Sequence, residues 1–506
     1  MKKNVATALI LIMSFALVIS GCGNGKYLSE GSTTKEQPKT EAVSGASKSE
    51  YTPLDQLKDK YDVIIVGAGG AGMTAAIEAK AKGMNPVIFE KMETAGGNTN
   101  KSSSGMNASE SKFQKEQGIT DSNDKFYDET LKGGKGTNDK ELLRYFVDHS
   151  AAAIDWLDSI GIRLDNLTIT GGMSVKRTHR PTDGSAVGGY LVKGLIDNVR
   201  KNNIPLFVNA DVKEIVQKDG KVTGVKVVFN KKDEKVISAN AVIVASGGYG
   251  ANFDMMTKYR PDLKGYVTTN QPGSTGDGIT MIEKAGGYTV DMDQIQVHPT
   301  VNQAKSYLIG EAVRGEGGIL VYGDAKRFHN EMDTRDNVTA AINALPKKYA
   351  WIVFDSGVKD RVKAIAQYQK MGLVVEGKTI EELAKKMGVP AKQLNYTMKA
   401  WNIAVKQKND WKFGRSTGMD HDLSQGPFYA TKIAPGIHYT MGGVKINKNT
   451  EVLTKEGKAI PGLYAAGEVT GGLHGQNRIG GNSVADIVIF GYQAGDKAAE
   501  YVKAAK

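Results

Sequence analysis

The pattern of apolar and polar positions divides the chain into stretches of different texture. Behind Lys2 and Lys3, an apolar run covers residues 5–19, too short for a comfortable membrane span and suited to an export signal. Residues 23–55 are rich in Ser, Thr, Gly, Lys and Glu without periodicity, which predicts a tether. At residues 61–91 the text becomes YDVIIVGAGGAGMTAAIEAKAKGMNPVIFEK. A continuous apolar strand at 62–66 meets a glycine turn, a helix of small residues and a second strand ending at Glu90. Residues 205–229 and 235–250 are strand-like, the first reading as a meander set into an α/β start. From about 295 to 435 the pattern is more helical, as at 379–407, and Gly-rich text returns at 435–444 and 461–472. This order predicts an α/β protein with a discontinuous Rossmann-like domain, residues 56–294 and 438–506. An α+β capping domain, residues 295–437, is expected to interrupt it.

Composition sharpens this picture at three points. The 506 residues include 60 glycines, many paired, which lets backbone approach a large ligand closely. The net charge of +11 comes without any basic block interleaved with aromatics, so nucleic acid is not an expected partner. A single cysteine, Cys22, excludes a disulfide within the chain and a Cys-ligated metal centre, and no metal site is expected.

Cys22 closes the apolar run as Ile19-Ser20-Gly21-Cys22. This resembles the lipobox of bacterial lipoproteins. The resemblance implies a signal peptide at 1–21, a lipid on Cys22 and a protein held on the outer face of a membrane. An ordinary secretory signal is the other reading.

Gly67-x-Gly69-x-x-Gly72 directly follows a strand and opens a helix, the arrangement that places a pyrophosphate at a helix N-terminus. Glu90 stands where an acid accepts from ribose hydroxyls. Residues 93–109 follow it immediately, and a second Gly-rich turn occurs late, so a cofactor touching both ends suits FAD better than NAD. Glu468 and residues 480–486 are placed to meet its ribityl and isoalloxazine. A flavin that reduces an activated alkene needs cations to hold carboxylates and a proton source opposite the hydride donor. The candidates are His298, Glu311, Arg314, Arg335, His438 and Arg478.

VIVASGGYG, QVHPT, EAVRGEGG, DTRD, HYTMGGV and NRIGGNS occur in that order. Over residues 60–500 the chain resembles the fumarate reductase/succinate dehydrogenase flavoproteins, in particular the flavocytochrome c-type fumarate reductases. The resemblance implies FAD contacts from Gly67, Gly69, Ala71, Gly72, Glu90, Gly97, Asn98, Thr99, Ser104, Gly105, Gly247, Asp277, Glu468, Asn482 and Ser483. GGNTNKSSSG lacks the histidine that binds FAD covalently in the succinate dehydrogenase branch, so non-covalent FAD is expected. There is no Cys-x-x-Cys-His, and a haem domain is not expected.

By the same resemblance, His438 and Arg478 bind one substrate carboxylate and His298 helps hold the other. Arg335 polarises the substrate and delivers the proton, and Glu311 and Arg314 form the relay that reprotonates it. Gly310 stands where the family usually has a Thr; a hydroxyl contact is lost there while the backbone N–H remains. Tyr439 adds a contact beside His438, and His179 has no assigned role. The implied reaction is fumarate to succinate, with reduction of urocanate or another enoate as the alternative. From another class stands a substrate-binding lipoprotein without catalysis. An external donor, quinone-linked or a flavin carrier, would supply electrons. EAVSGAS at 41–47 resembles the motif that carries covalent FMN, with Glu41 in place of Asp, which makes Ser47 the attachment residue. A plain spacer is the other reading of that stretch.

Overall fold

The structure is a computed structural model that describes residues 51–505. The expectations for the signal segment, Cys22 and Ser47 lie outside the described residues.

The chain Lys60–Val66 is buried almost throughout, and such a run forms an interior parallel strand covered on both faces. It pairs in parallel with Pro86–Phe89 on one side and Asp233–Val244 on the other. The sheet extends to Leu206–Phe207 at one edge and through Ala459–Ala465 to the antiparallel strand Glu451–Leu453 at the other. The helix Gly70–Ala81 follows the first strand, and the helix Asn482–Ala504 lies against it. The late segment thus completes the early domain. The meander is Ala210–Lys218, Lys221–Phe229 and Asp233–Val244, whose last strand runs on into the parallel sheet.

A second hydrophobic core gathers residues from Ile309 to Ile433. Its framework is an antiparallel sheet ordered Tyr307–Leu308, Ile295–Asn302, Phe428–Thr440, Ala350–Asp355, Ile319–Val321, with Val375–Gly377 also on the long strand. The helices Ile380–Met387 and Ala391–Gln407 cover it. The α+β character expected of the cap is present; sequence patterning located these helices but not the individual strands. The Phe428–Thr440 strand contributes Ile433 to this core and Ile437 to the core of the dinucleotide domain, so it runs between the two. Its partner Ile295–Asn302 carries register shifts between Gln296 and Val297 and between His298 and Val301. Such irregularities re-aim side chains beside sites.

The expected tether ends sooner than residue 55. Thr52 N–H donates to the Leu206 carbonyl at 2.9 Å, and the Tyr51 hydroxyl accepts from Ala95 N–H at 3.0 Å. Tyr51 and Leu54 also rest on the main core, and that apolar contact fixes residues 51–55 to the domain.

Candidate active site

Two clefts meet, the first within the dinucleotide domain and the second between that domain and the cap. The first, about 800 Å³ of space open in part to solvent, is lined by Gly67, Gly69, Ala71, Glu90, Gly97, Asn98, Thr99, Gly247, Asp277 and Glu468 among others. Gly67 has φ +103°, and a Cβ there would lie 2.6 Å from the Ala245 carbonyl oxygen, so only glycine makes this turn. Gly72 packs on the Gly67 carbonyl and does not line the cleft. Thr99 Oγ1 accepts from Gly70 N–H at 3.0 Å, fixing the loop across the helix N-terminus.

The Glu90 carboxylate accepts from Ala68 N–H at 2.8 Å and Met92 N–H at 2.9 Å. Asp277 heads the helix Asp277–Lys284, with its carboxylate 2.6 Å from Lys91 Nζ. A dinucleotide fits this donor set. The turn offers backbone N–H groups at a helix N-terminus, an acid waits at the second strand, and Ser246 Oγ is buried in the wall without a partner.

The second cleft, about 1050 Å³, shares Asn98, Thr99, Glu468 and Ile487 with the first and is therefore continuous with it. Its wall includes Ser102, Ser103, Ser104, Gly105, Tyr307, Arg335, His438, Tyr439, Arg478 and Ser483. Glu468 sits at the junction, accepting from Thr440 N–H at 3.1 Å and Asn98 Nδ2 at 3.2 Å; burial pushes its carboxyl above the usual range despite those bonds. Asn482 is not brought to either cleft. Its amide is taken up by Asn107, at 2.7 Å, and Thr130, because it lies on the inner side of the helix it begins.

The charged centre is compact. Arg335 grips Glu311 through two parallel bonds, Nε to Oε1 at 2.9 Å and Nη2 to Oε2 at 3.1 Å, and its Nη1 donates to Gln296 Oε1 at 2.8 Å. Arg314 Nη2 lies 3.5 Å from Glu311 Oε1. Arg478 stacks over the Tyr439 ring at 4.3 Å, and its Nε has no partner. Gln296 ties the two ends together, donating to the Arg478 carbonyl at 2.7 Å. Burial alone would raise Glu311, but Arg335, Arg314 and Arg478 outweigh it and hold its carboxyl down to about 2. Burial, then Arg335, lowers the Arg478 guanidinium to about 9. Among the described residues, Glu311 is the one carboxylate at ion-pair distance from any of these three arginines. The excess of buried positive charge suits a dianion.

The two histidines are neutral. His298 Nδ1 accepts from Thr300 N–H at 3.2 Å, which puts its proton on Nε2; that atom is unpartnered and 4.0 Å from Glu311. His438 Nδ1 lies 2.7 Å from Thr269 Oγ1, and the two rings are 5.0 Å apart, edge to face. Burial first, then the nearby arginines, keeps both imidazoles well below their usual pKa. The His179 side chain is not part of this group: it is buried between Ser111 Oγ at 2.6 Å and the Arg177 carbonyl at 2.8 Å, a structural residue.

Two expectations are corrected. The Gly310 N–H is not left for a ligand: it donates to the Tyr368 hydroxyl at 3.1 Å, because that phenol is buried and needs a partner. The Tyr439 hydroxyl turns away to His474 and Asp486, each at 3.3 Å, so its ring rather than its oxygen serves the chamber. Residues that patterning missed are Gln296, Thr269, Thr300 and Tyr368. Gln296 was within reach, since it opens the QVHPT motif; the others owe their place to contacts across the fold.

A glycine-cradled dinucleotide cleft opening onto a buried cationic chamber defines a dinucleotide-dependent oxidoreductase. Residues 62–484 match the family described as FAD binding domain; the chain belongs to that family and is an FAD-binding oxidoreductase. It is 51% identical over 446 residues to an NADH:fumarate oxidoreductase of Klebsiella pneumoniae, covering 88% of this chain and 48% of that protein. The chain therefore spans about half the length of that relative. It is 42% identical over 446 residues to a fumarate reductase (cytochrome) of Shewanella frigidimarina, covering 88% of this chain and 78% of that protein. Among solved structures it is similar to the open conformation of a flavocytochrome c3 fumarate reductase. That match has 38% identity and a TM-score of 0.73, over 93% of this chain and 85% of the other.

Proposed function

We propose that the protein reduces fumarate to succinate in the second cleft. The observation that carries this reading is the Arg335–Glu311–Gln296 arrangement at a chamber lined by Arg335 and Arg478, with Arg314 behind Glu311; among the described residues neither Arg478 nor Arg314 has a carboxylate hydrogen bond. An electron-poor dianion neutralises that excess, and the names of the similar proteins point the same way. FAD, held by the glycine turn, Glu90 and Glu468, supplies the hydride when bound. Arg478 and neutral His438 hold one carboxylate, and the Nε2–H of His298 donates to the other. Arg335 withdraws charge from the substrate and gives the proton that completes the C–C single bond. Glu311, kept ionised by its arginines, receives the next proton from the Arg314 side and returns it to Arg335. The noncovalent FAD site requires no histidine from the 96–105 loop.

The missing side chain at Gly310 does not enlarge the chamber, since a Cβ there would lie 2.8 Å from Ser103 Oγ and 3.3 Å from the Tyr368 hydroxyl. This favours a short dicarboxylate over urocanate. Dye-linked turnover of the flavin-loaded protein on fumarate, urocanate, methacrylate and cinnamate-like acids tests the assignment. Turnover of fumarate well above the others is expected, preference for urocanate would move the activity to that substrate, and bound flavin with no turnover would leave a binding protein.

We also propose an extracytoplasmic, lipid-anchored enzyme that takes electrons from an external donor through FMN on Ser47. The support is in the sequence alone, in Cys22 behind its apolar run and in EAVSGAS. Mass spectrometry of the native protein is expected to show diacylglycerol on Cys22 and an FMN mass on the peptide containing Ser47; unmodified peptides would return both stretches to signal and spacer.

A further inference from the structure

We infer that the Ser103 hydroxyl is a substrate-carboxylate donor that completes the His298 end of the chamber. Ser103 lines the second cleft together with Arg335, His438 and Arg478. Its Oγ is buried and has no hydrogen-bond partner. The hydroxyls nearest the two histidines are engaged. Thr300 Oγ1 donates to the Ile309 carbonyl at 2.7 Å, Thr269 Oγ1 is bound to His438 and to the Ile437 carbonyl, and Tyr439 turns to His474 and Asp486. The Gly310 N–H is likewise committed to Tyr368.

Position follows from the same contacts. Gly310 succeeds Ile309, whose carbonyl holds Thr300, which in turn holds His298 Nδ1. A Cβ at Gly310 would lie 2.8 Å from Ser103 Oγ, so Ser103 occupies the space that a side chain there would need. Its hydroxyl therefore lies beside the segment that positions His298, whose Nε2–H is also without a partner. A carboxylate only accepts, and an uncommitted hydroxyl on the wall of a cationic chamber suits its oxygens. Burying a hydroxyl without a partner is unfavourable, and a bound carboxylate removes that penalty.

The inference rests on the fumarate reading, and wild-type turnover on fumarate checks that reading separately. Given that turnover, Ser103→Ala is expected to raise KM for fumarate roughly tenfold with kcat changed less than about threefold and full FAD content. Moving the hydroxyl across the gap in the double variant Ser103→Gly/Gly310→Ser is expected to bring KM back to within about threefold of wild type. An unchanged KM in Ser103→Ala overturns the inference while leaving the fumarate reading intact. A raised KM accompanied by FAD loss, and not reversed by the double variant, marks a packing role and overturns it as well.

Discussion

Arg335 and Glu311 meet as a forked pair, 24 residues apart in sequence, with both carboxylate oxygens committed to one guanidinium. The third arm of that guanidinium reaches Gln296, so its orientation is fixed from two sides. Lysine has one point charge where this geometry uses a plane. The pair therefore holds a cation in one attitude toward the chamber and keeps a carboxylate ready behind it.

Replacing Arg335 tests that attitude. Both Arg335→Ala and Arg335→Lys are expected to lower kcat for fumarate by at least about a hundredfold, since each removes a positioned proton donor. FAD content should stay near one per chain, because the first cleft is built from other residues. Steady-state dye-linked assays with a flavin absorbance spectrum check both statements, and near-normal turnover in either variant would sink the acid role.

The pH profile follows from groups whose charge is already set. Glu311 is held at about 2, so it is ionised throughout the working range. His298 and His438 are neutral well below the usual 6.5. No protonation near neutrality is left to these groups, and kcat/KM for fumarate is expected to be flat between about pH 6 and 8. An inflection near 6.5 that disappears in His298→Gln or His438→Gln would show an imidazole titrating instead. Stability has a definite sign. The unfolded chain takes up protons on these histidines below about 6.5 and on Glu311 below about 4.5, while the native fold resists both. Stability from these groups is thus present above those values and is lost in two stages on acidification, which unfolding midpoints measured against pH would resolve.

The dinucleotide half of this fold was legible because a continuously apolar strand, a glycine turn and a helix of small residues lie next to each other in sequence. The positions of the strands in the cap's sheet were not. Its central strand Phe428–Thr440 is buried along most of its length, carries Pro435 and Gly436, and shows no two-residue alternation. The helices around it spoke louder. In the site, His298, Glu311 and Arg335 stand in recognisable motifs, whereas Tyr368 reaches Gly310 from 58 residues away and Ser103 meets it from across the domain junction. Such partners are chosen by three-dimensional proximity, which leaves no local periodicity to read.

A buried network behind the relay gives a stability prediction. Arg327 forks Glu331 with two bonds of 2.7 Å and also binds Asp410, and Arg415 Nη1 lies 3.2 Å from Glu331. Both arginines lie over the Trp401 ring, at 4.6 and 4.4 Å. Burial would raise Glu331, but Arg327 and Arg415 hold it down to about 2. Glu331→Ala leaves the buried Arg415 without its carboxylate and Arg327 with Asp410 alone, and is expected to cost about 3–5 kcal/mol. Because the Glu331 carbonyl accepts from Arg314 and Arg415 Nη2 donates to the Arg314 carbonyl at 2.6 Å, kcat should fall along with the unfolding midpoint. Denaturant titration and turnover on one sample check the pair of effects.

Arg478 gives the most direct reading of what the chamber is for. Its guanidinium is lowered to about 9 by burial and by Arg335, its Nε is unpartnered, and among the described residues no carboxylate lies at ion-pair distance. A dianion placed between Arg478 and Arg335 supplies the missing countercharge, so ligand binding and stability are coupled. Fumarate or succinate at about a hundred times Kd should stabilise the protein by about 2.7 kcal/mol, read as a rise in Tm of the flavin-loaded enzyme. Arg478→Met keeps the stack on Tyr439 in volume but removes the charge. It should raise KM for fumarate by more than about a hundredfold and abolish the Tm rise, while the Tm without ligand stays level or increases, because an unpaired buried cation is gone. A wild-type-sized fumarate shift in that variant would place the dianion elsewhere.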